Sequence, residues 1–272
     1  MITKTFQDTE VPVVGFGTYP LRGDACMEAV GDALSLGYRH VDTAQAYANE
    51  EAVGRALSRA DIPRDEIFLT TKVSVDNIQA RRTRVSTEES LHRLGTDYVD
   101  LLLIHWPVEE VEPEETLDEM MHLQEEGKVR HIGVSNFPRG LMKQVVAHAP
   151  IFCNQVEFHP FLEQDSLLEL CAENDIMVTA YSPLAKGQVA RNDLLQDIGN
   201  RYHKSPPQVA LRWLIQHDPV TVIPKAGSRE HRRANLDIFD FELTGEEMEE
   251  VATLRERRRL TDPSWGPVWE QV

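Results

Sequence analysis

Three cysteines are all that this 272-residue chain contains, and Cys26, Cys153 and Cys171 lie far apart with no CxxC among them. An odd number at wide spacing excludes a disulfide framework and a zinc site, so no metal is expected and the thiols read as small buried hydrophobes. Long apolar runs are lacking too. The greasiest, Tyr98 to Trp106, is broken by Asp100 and His105. It falls well short of the ~20 apolar residues of a membrane span, so no membrane partner is expected. Basic charge is also scarce: 28 Lys+Arg against 45 Asp+Glu leave a net charge of −17, and most of the basic residues are arginine. That balance argues against nucleic acid as a partner. It repels itself at low ionic strength, which makes the salt-rich cytoplasm of a halophile a working hypothesis. The start, MITKTFQDTE, has no basic stretch followed by an apolar block, so a cytoplasmic location is expected. No low-complexity block or linker divides the sequence, and one domain over residues 1–272, acting as a monomer, is the expectation.

What is present is a repeating alternation. Short apolar runs at 13–18, 39–43, 67–72, 98–105, 129–136, 152–157, 176–182 and 220–225 read as about eight strands. Between them, Ala25–Leu36, Glu51–Ala60, Thr83–Leu94, Glu115–Glu126, Leu141–Ala147, Ser166–Glu173 and Gln208–Gln216 carry apolar residues at helical spacing. Apolar strands separated by amphipathic helices predict an α/β fold with a parallel sheet, and about eight repeats fit a closed (β/α)8 TIM barrel. An open doubly wound sheet is the alternative, but no GxGxxG follows an early strand, and Pro20 interrupts any helix after GFGTYP. Residues 1–12 read as an extended lead-in that plugs the barrel floor, 244–254 as an added helix, and 261–272 as a Pro-rich tail whose tryptophans need a surface to cover.

Polar residues sit at the last position or two of each strand: Asp42, Lys72, His105, Ser135 with Asn136, Gln155, Tyr181 with Ser182, and Lys225. In a barrel these ends converge on the face that carries chemistry. Each has a plainer alternative. Asp42 fits a helix N-cap, Tyr47 a rim aromatic, His105 a satisfied core histidine, and Lys72 a residue escaping to solvent. Taken together they form a constellation. A carboxylate keeps a buried ammonium charged, the ammonium lowers the pKa of a tyrosine hydroxyl, and a neutral imidazole donates to a carbonyl oxygen on which charge develops. That is machinery for carbonyl reduction, and because no side chain supplies a hydride, a nicotinamide cofactor is implied.

The motifs resemble those of the aldo-keto reductase family over nearly the whole chain: GFGT at 15–18, VDTAQAY at 41–47, TK at 71–72, LLLIHWP at 101–107, GVSNF at 133–137, NQVEFHP at 154–160, AYSPL at 180–184, and IPK followed by Asn235. The match is nearest to compact prokaryotic members such as the 2,5-diketo-gluconate reductases. The resemblance implies that Asp42, Tyr47, Lys72 and His105 form the catalytic tetrad with Tyr47 as the acid. It implies cofactor contacts for Gly17, Thr18, Asp42, Ser135, Asn136, Gln155, Tyr181, Ser182, Leu184, Lys225, Ala226, His231 and Asn235. Ser135, Asn136 and Gln155 would bind the carboxamide, Tyr181 would stack under the ring, Ser182 and Leu184 would lie along the pyrophosphate, and Lys225 would meet the 2′-phosphate.

There are departures from the family pattern. Ala226, His231 and Ala234 stand where many relatives carry Ser, Arg and Glu, so NADPH preference should be modest and NADH usable, with Arg229 the nearer substitute for the missing charge. Ser74 stands where relatives place an aromatic, which leaves an open pocket covered by Tyr19, Trp106 and the tail tryptophans. The acidic loop WPVEEVEPEET after His105 disfavours keto-acids and favours neutral aldehydes, α-dicarbonyls or sugar-like carbonyls. Two other functions remain open: a cofactor-binding barrel used as a regulatory subunit, and a non-redox enzyme with Lys72 as a Schiff-base amine.

Overall fold

Each strand of the main sheet lies parallel to the next in chain order, as expected where a helix carries the chain back between them. The computed structural model describes residues 2–109, 111–256 and 258–269, so Glu110 of the acidic loop and 270–272 of the tail lie outside the described residues. The chain opens with an antiparallel hairpin of β1 (Thr3–Phe6) and β2 (Thr9–Pro12). The barrel strands follow as β3 (Phe16–Gly17), β4 (His40–Asp42), β5 (Phe68–Val73) and β6 (Val99–Ile104). After them come β7 (Val129–Ser135), β8 (Ile151–Glu157), β9 (Met177–Tyr181) and β10 (Val220–Val222). A parallel bridge between Val14 and Val222, with Gly15 N–H donating to the Val222 carbonyl at 2.8 Å, joins the last strand back to the first. The open-sheet alternative is thereby set aside.

Ten helices surround the strands among the described residues: α1 (Gly23–Ser35), α2 (Glu50–Arg59), α3 (Ala80–Leu94), α4 (Pro113–Glu125) and α5 (Arg139–His148). They continue as α6 (Asp165–Glu173), α7 (Asp193–Tyr202), α8 (Pro206–Gln216), α9 (Arg229–Leu236) and α10 (Gly245–Ala252). The expected added helix is α10, which starts at a reciprocal cap: Thr244 Oγ1 accepts from Glu247 N–H, and the Glu247 carboxylate accepts from Thr244 N–H. Helix α7 is absent from the sequence expectations, although Leu195, Ile198 and Tyr202 carry helical spacing and Asn192 caps its start by accepting from Leu195 N–H.

Strand alternation explains where the polar residues go. Phe68, Leu101, Leu103, Cys153 and Met177 pack with Phe6 and Val11 of the hairpin in the barrel interior, so the lead-in does plug the floor. Leu69, Val73, Leu102, Ile104, Val156 and Val178 belong to the separate core between strands and helices. Because side chains alternate, the interior columns continue two residues at a time, from Phe68 to Lys72, from Leu103 to His105, from Cys153 to Gln155 and Glu157, and from Met177 to Tyr181. The same strands are thus apolar at the floor and polar at the rim. All three cysteines are buried free thiols, and no helix among the described residues is long and apolar enough to cross a membrane.

Candidate active site

At the inner end of the rim, Lys72 is fully buried and all three of its N–H donors have oxygen neighbours. Its Nζ lies 2.6 Å from Asp42 Oδ1, 2.8 Å from the Thr43 carbonyl and 3.4 Å from Tyr47 Oη. Asp42 ends β4 and takes Lys72 on one oxygen and Gln155 Nε2 on the other, at 2.7 Å, so it is no helix cap. Tyr47 closes a single 3-10 turn, Gln45–Tyr47, which hands over at Ala48 with a φ of 52°. Its ring meets the His105 imidazole edge-on at 5.5 Å.

The electrostatics correct one expectation. Burial, then the Asp42 carboxylate, push the Tyr47 hydroxyl well above its ordinary value rather than below it. The ammonium is close, but Asp42 engages it at 2.6 Å, and it does not offset these two causes. Burial likewise works on Lys72, pulling its pKa down against the opposing pull of Asp42. Burial, reinforced by the Lys72 charge, takes His105 down to about 3, which leaves a neutral imidazole at physiological pH.

A second group adjoins the first through hydrogen bonds. Tyr181 Oη donates to Asn136 Oδ1 at 2.8 Å, and Asn136 Nδ2 donates to the His105 carbonyl and to Ser135 Oγ, each at 3.0 Å. Ser135 Oγ donates to the Gln155 carbonyl at 2.8 Å. Asn136 and Ser182 hold φ of 64° and 48°, left-handed values that non-glycine residues adopt at a cost and that cluster at functional sites. These residues line one cavity of about 760 Å³ that runs from Trp106, His105 and Tyr47 past Asp42, Ser135, Asn136, Gln155 and Tyr181 to Ser182, Leu184 and Lys225. Gly17, Thr18 and Tyr19 line it as well. Gly17 has a packing reason besides: a Cβ there would sit 2.6 Å from the Ile223 carbonyl oxygen.

The outer end is looser. Lys225 lines the cavity and is exposed, whereas Ala226, His231 and Asn235 do not line it. Ala226 is buried with its carbonyl accepting from Arg232 Nη1, and His231 is exposed on α9. Asn235 is buried, and its Nδ2 has no acceptor. Arg229 does not point its charge toward Lys225; it pairs with Asp32 of α1, as does Arg232 at 2.6 Å.

On the opposite side, Ser74 stays outside the cavity, its N–H bound to Gln45 Oε1 at 2.9 Å. Tyr19 lies 62% exposed at the mouth and Trp106 beneath it is buried. Of the tail tryptophans, Trp265 meets Trp106 edge-on at 5.5 Å, and Trp269 instead covers the Arg259 guanidinium. Sequence reasoning missed Lys186, Ile223, Pro224 and Thr261, which also line the cavity. Thr261 carried no signal, since it lies in a tail with no regular element; the left-handed run at Ala185–Lys186 was hidden because neither residue is a glycine.

Comparison with known proteins gives a consistent picture. The model of the Aldo/keto reductase family matches residues 13–256. The glyoxal reductase of Bacillus subtilis is 40% identical over 261 residues, covering 94% of this chain and 94% of that protein. A solved structure provisionally assigned as 2,5-diketo-D-gluconic acid reductase B superposes with a TM-score of 0.97 at 41% identity, covering 100% of this chain and 98% of its own. An aldo-keto reductase from Bombyx mori, solved in complex with NADP, gives a TM-score of 0.91 at 32% identity, with 97% and 95% covered.

Proposed function

The chain belongs to the aldo/keto reductase family, and on that premise we propose that it reduces aldehydes or ketones to alcohols with a nicotinamide cofactor, preferring NADPH modestly over NADH, with Tyr47 as proton donor. The observation that carries this reading is the Asp42–Lys72–Tyr47 arrangement beside a neutral His105 at one end of a cavity of about 760 Å³.

Several features of the chain fit a dinucleotide. Amide and hydroxyl groups of Ser135, Asn136 and Gln155 converge with the Tyr181 ring on one stretch of the wall, and Lys225 stands exposed at the far end of the same cavity. When bound, the nicotinamide supplies the hydride, which no side chain provides. The residues do the rest. His105, uncharged, donates a hydrogen bond to the carbonyl oxygen as negative charge builds there. Tyr47 enters the reaction as the neutral phenol its raised pKa guarantees, and delivers its proton to the same oxygen. Lys72, 3.4 Å from that hydroxyl, stabilises the phenolate left behind, and Asp42 holds Lys72 in place. Full burial and three oxygen neighbours disfavour Lys72 as a Schiff-base nucleophile, which must be free and unprotonated. The intact tetrad disfavours a purely regulatory role.

Neutral aldehydes, α-dicarbonyls and sugar-like carbonyls are the proposed substrates, in keeping with a relative that is a glyoxal reductase. Adaptation to a salt-rich solution completes the proposal, resting on the net charge of −17. Loss of NADPH absorbance with a panel of glyoxal, methylglyoxal and benzaldehyde tests it. Turnover of at least one carbonyl is expected; silence with all of them favours the regulatory reading, and borohydride trapping at Lys72 the Schiff-base one.

A further inference from the structure

Glu157 ends β8 two residues beyond Gln155, and the reaction described above has no use for it. It is fully buried, and a buried carboxylate persists only where its oxygens are satisfied. Two of its partners come from about a hundred residues away. Oε1 accepts the Leu260 backbone N–H at 2.7 Å, and Oε2 accepts that of Thr261 at 2.8 Å. His159 Nε2 lies 3.0 Å from Oε1, and because its Nδ1 accepts from Phe161 N–H, the ring proton sits on Nε2 and points at Glu157. Burial alone would raise the Glu157 pKa, but the hydrogen bonds from His159, Leu260 and Thr261 outweigh it and hold the group below the usual carboxylate range.

The tail is gripped from its other side too. Lys186, on the loop that follows Tyr181, donates its ammonium to the Leu260 carbonyl at 2.8 Å, and the Glu256 and Arg258 N–H groups both reach the Phe161 carbonyl. Thr261 then lines the cavity, and four residues on Trp265 sets its ring against Trp106, next to His105. Trp265 is 55% exposed, so its own burial does little to fix it.

We propose that Glu157 is a positioning residue that sets which carbonyls the protein accepts: by clamping the chain at Leu260 and Thr261 it seats Trp265 against Trp106, just outside the residues that line the cavity, as a rim to its carbonyl end. An aromatic or other bulky apolar aldehyde touches that rim; a two- or three-carbon dicarbonyl is too short to reach it. This rests on the reading of the cavity as a site of carbonyl reduction.

The test uses the full chain with NADPH, comparing benzaldehyde with methylglyoxal, together with hydrogen exchange at the Leu260 and Thr261 amides. Trp265→Ala should raise KM for benzaldehyde on the order of ten-fold, more than for methylglyoxal, with kcat little changed, as removal of one apolar contact does. Glu157→Gln, which presents an N–H to one of the two amides, should give the same split in KM and in addition speed exchange at both amides, which Trp265→Ala leaves slow. Should the buried substitution prevent folding, Leu260→Pro removes one donor from the tail while leaving Glu157 itself in place, and the same split is expected. Equal KM changes for the two aldehydes in the clamp variants, or none in Trp265→Ala, would overturn the proposal, since a merely structural role lowers kcat for both substrates together. Absence of turnover by the unmodified protein would instead overturn the assigned activity, and amide exchange would still decide whether Glu157 clamps the tail.

Discussion

At the inner end of the cavity, Tyr181, Asn136, Ser135, Gln155, Asp42 and Lys72 form one continuous hydrogen-bonded chain, each member held by a strand or the first residue beyond it. At the outer end, Lys225 and His231 stand in solvent, and the nearby arginines 229 and 232 are occupied by Asp32. The two ends obey different physics. In the buried network a lost partner strands a charge or a donor away from water, so substitution is costly and the geometry is rigid. On the exposed side a charge is worth little to the fold, and residues there are free to change with cofactor preference. Of the departures from the family pattern, Ala226, His231 and Ala234 fall at the outer end and Ser74 on the opposite side, whereas Asp42, Tyr47, Lys72 and His105 show none.

The largest effect expected from breaking this contrast is at Tyr47. Tyr47→Phe should lower kcat by ~10²–10⁴-fold while leaving the NADPH Kd, read by fluorescence titration, within a few-fold. Retention of a tenth of the rate would move the proton to another group, His105 first.

A smaller effect belongs to the outer end. Lys225→Gly should remove a charge-assisted hydrogen bond worth about 1.5–3 kcal/mol, or roughly one to two decades of NADPH preference, and leave NADH kinetics intact. The kcat/KM ratio for the two cofactors measures it. A preference above ~10³-fold that survives the substitution would mean that Arg229 or Arg232 leaves Asp32 for the phosphate.

The buried end should also show in stability against pH. The pKa of His105 is about 3 when folded and near 6.5 when unfolded, so between those values the unfolded chain binds the extra proton. Stability is therefore complete above pH 6.5 and declines as pH falls toward 3, by up to about 1.4 kcal/mol per pH unit for this one group. Urea titrations at pH 7, 6 and 5 should show the decline, and His105→Gln should make it shallower, with His40, His131 and His217, also held below the ordinary value by burial, supplying the rest; an equal slope in both proteins would assign the proton elsewhere.

The smallest effect concerns the whole surface. With a net charge of −17, melting temperature should rise from low salt to molar KCl as self-repulsion is screened. Exposed pairs such as Arg84 with Glu126 weaken over the same range and oppose the rise. A flat or falling profile would remove the salt-adapted reading.

Much of the fold was legible because two periodicities rarely mislead over long stretches. Strands β5 to β9 lie within a residue or two of where apolar runs placed them, helices α1, α2, α4 to α6 and α8 likewise, and α3 starts three residues earlier than expected. Polar residues at strand ends pointed to Asp42, Lys72, His105 and Gln155, because a buried run that finishes in an ionisable group needs a reason to do so. Ser74 went astray since a residue just past a strand turns with the local loop, and here its N–H is taken by Gln45. Helix α7, which Asn192 caps by accepting from Leu195 N–H, and the left-handed turn at Lys186–Gly187 both went unread.

The sequence by itself determined the alternation of strands and helices, the family, and the four residues that meet at the rim, since period and strand position are local properties. Tertiary structure alone decided the rest. It raised rather than lowered the Tyr47 pKa, because that depends on how burial and Asp42 add in space. It gave Arg229 and Arg232 to Asp32 across almost two hundred residues. It also brought the Leu260 and Thr261 amides onto Glu157. A backbone N–H carries no side-chain label, so nothing in the order of residues marks which one a distant carboxylate will claim.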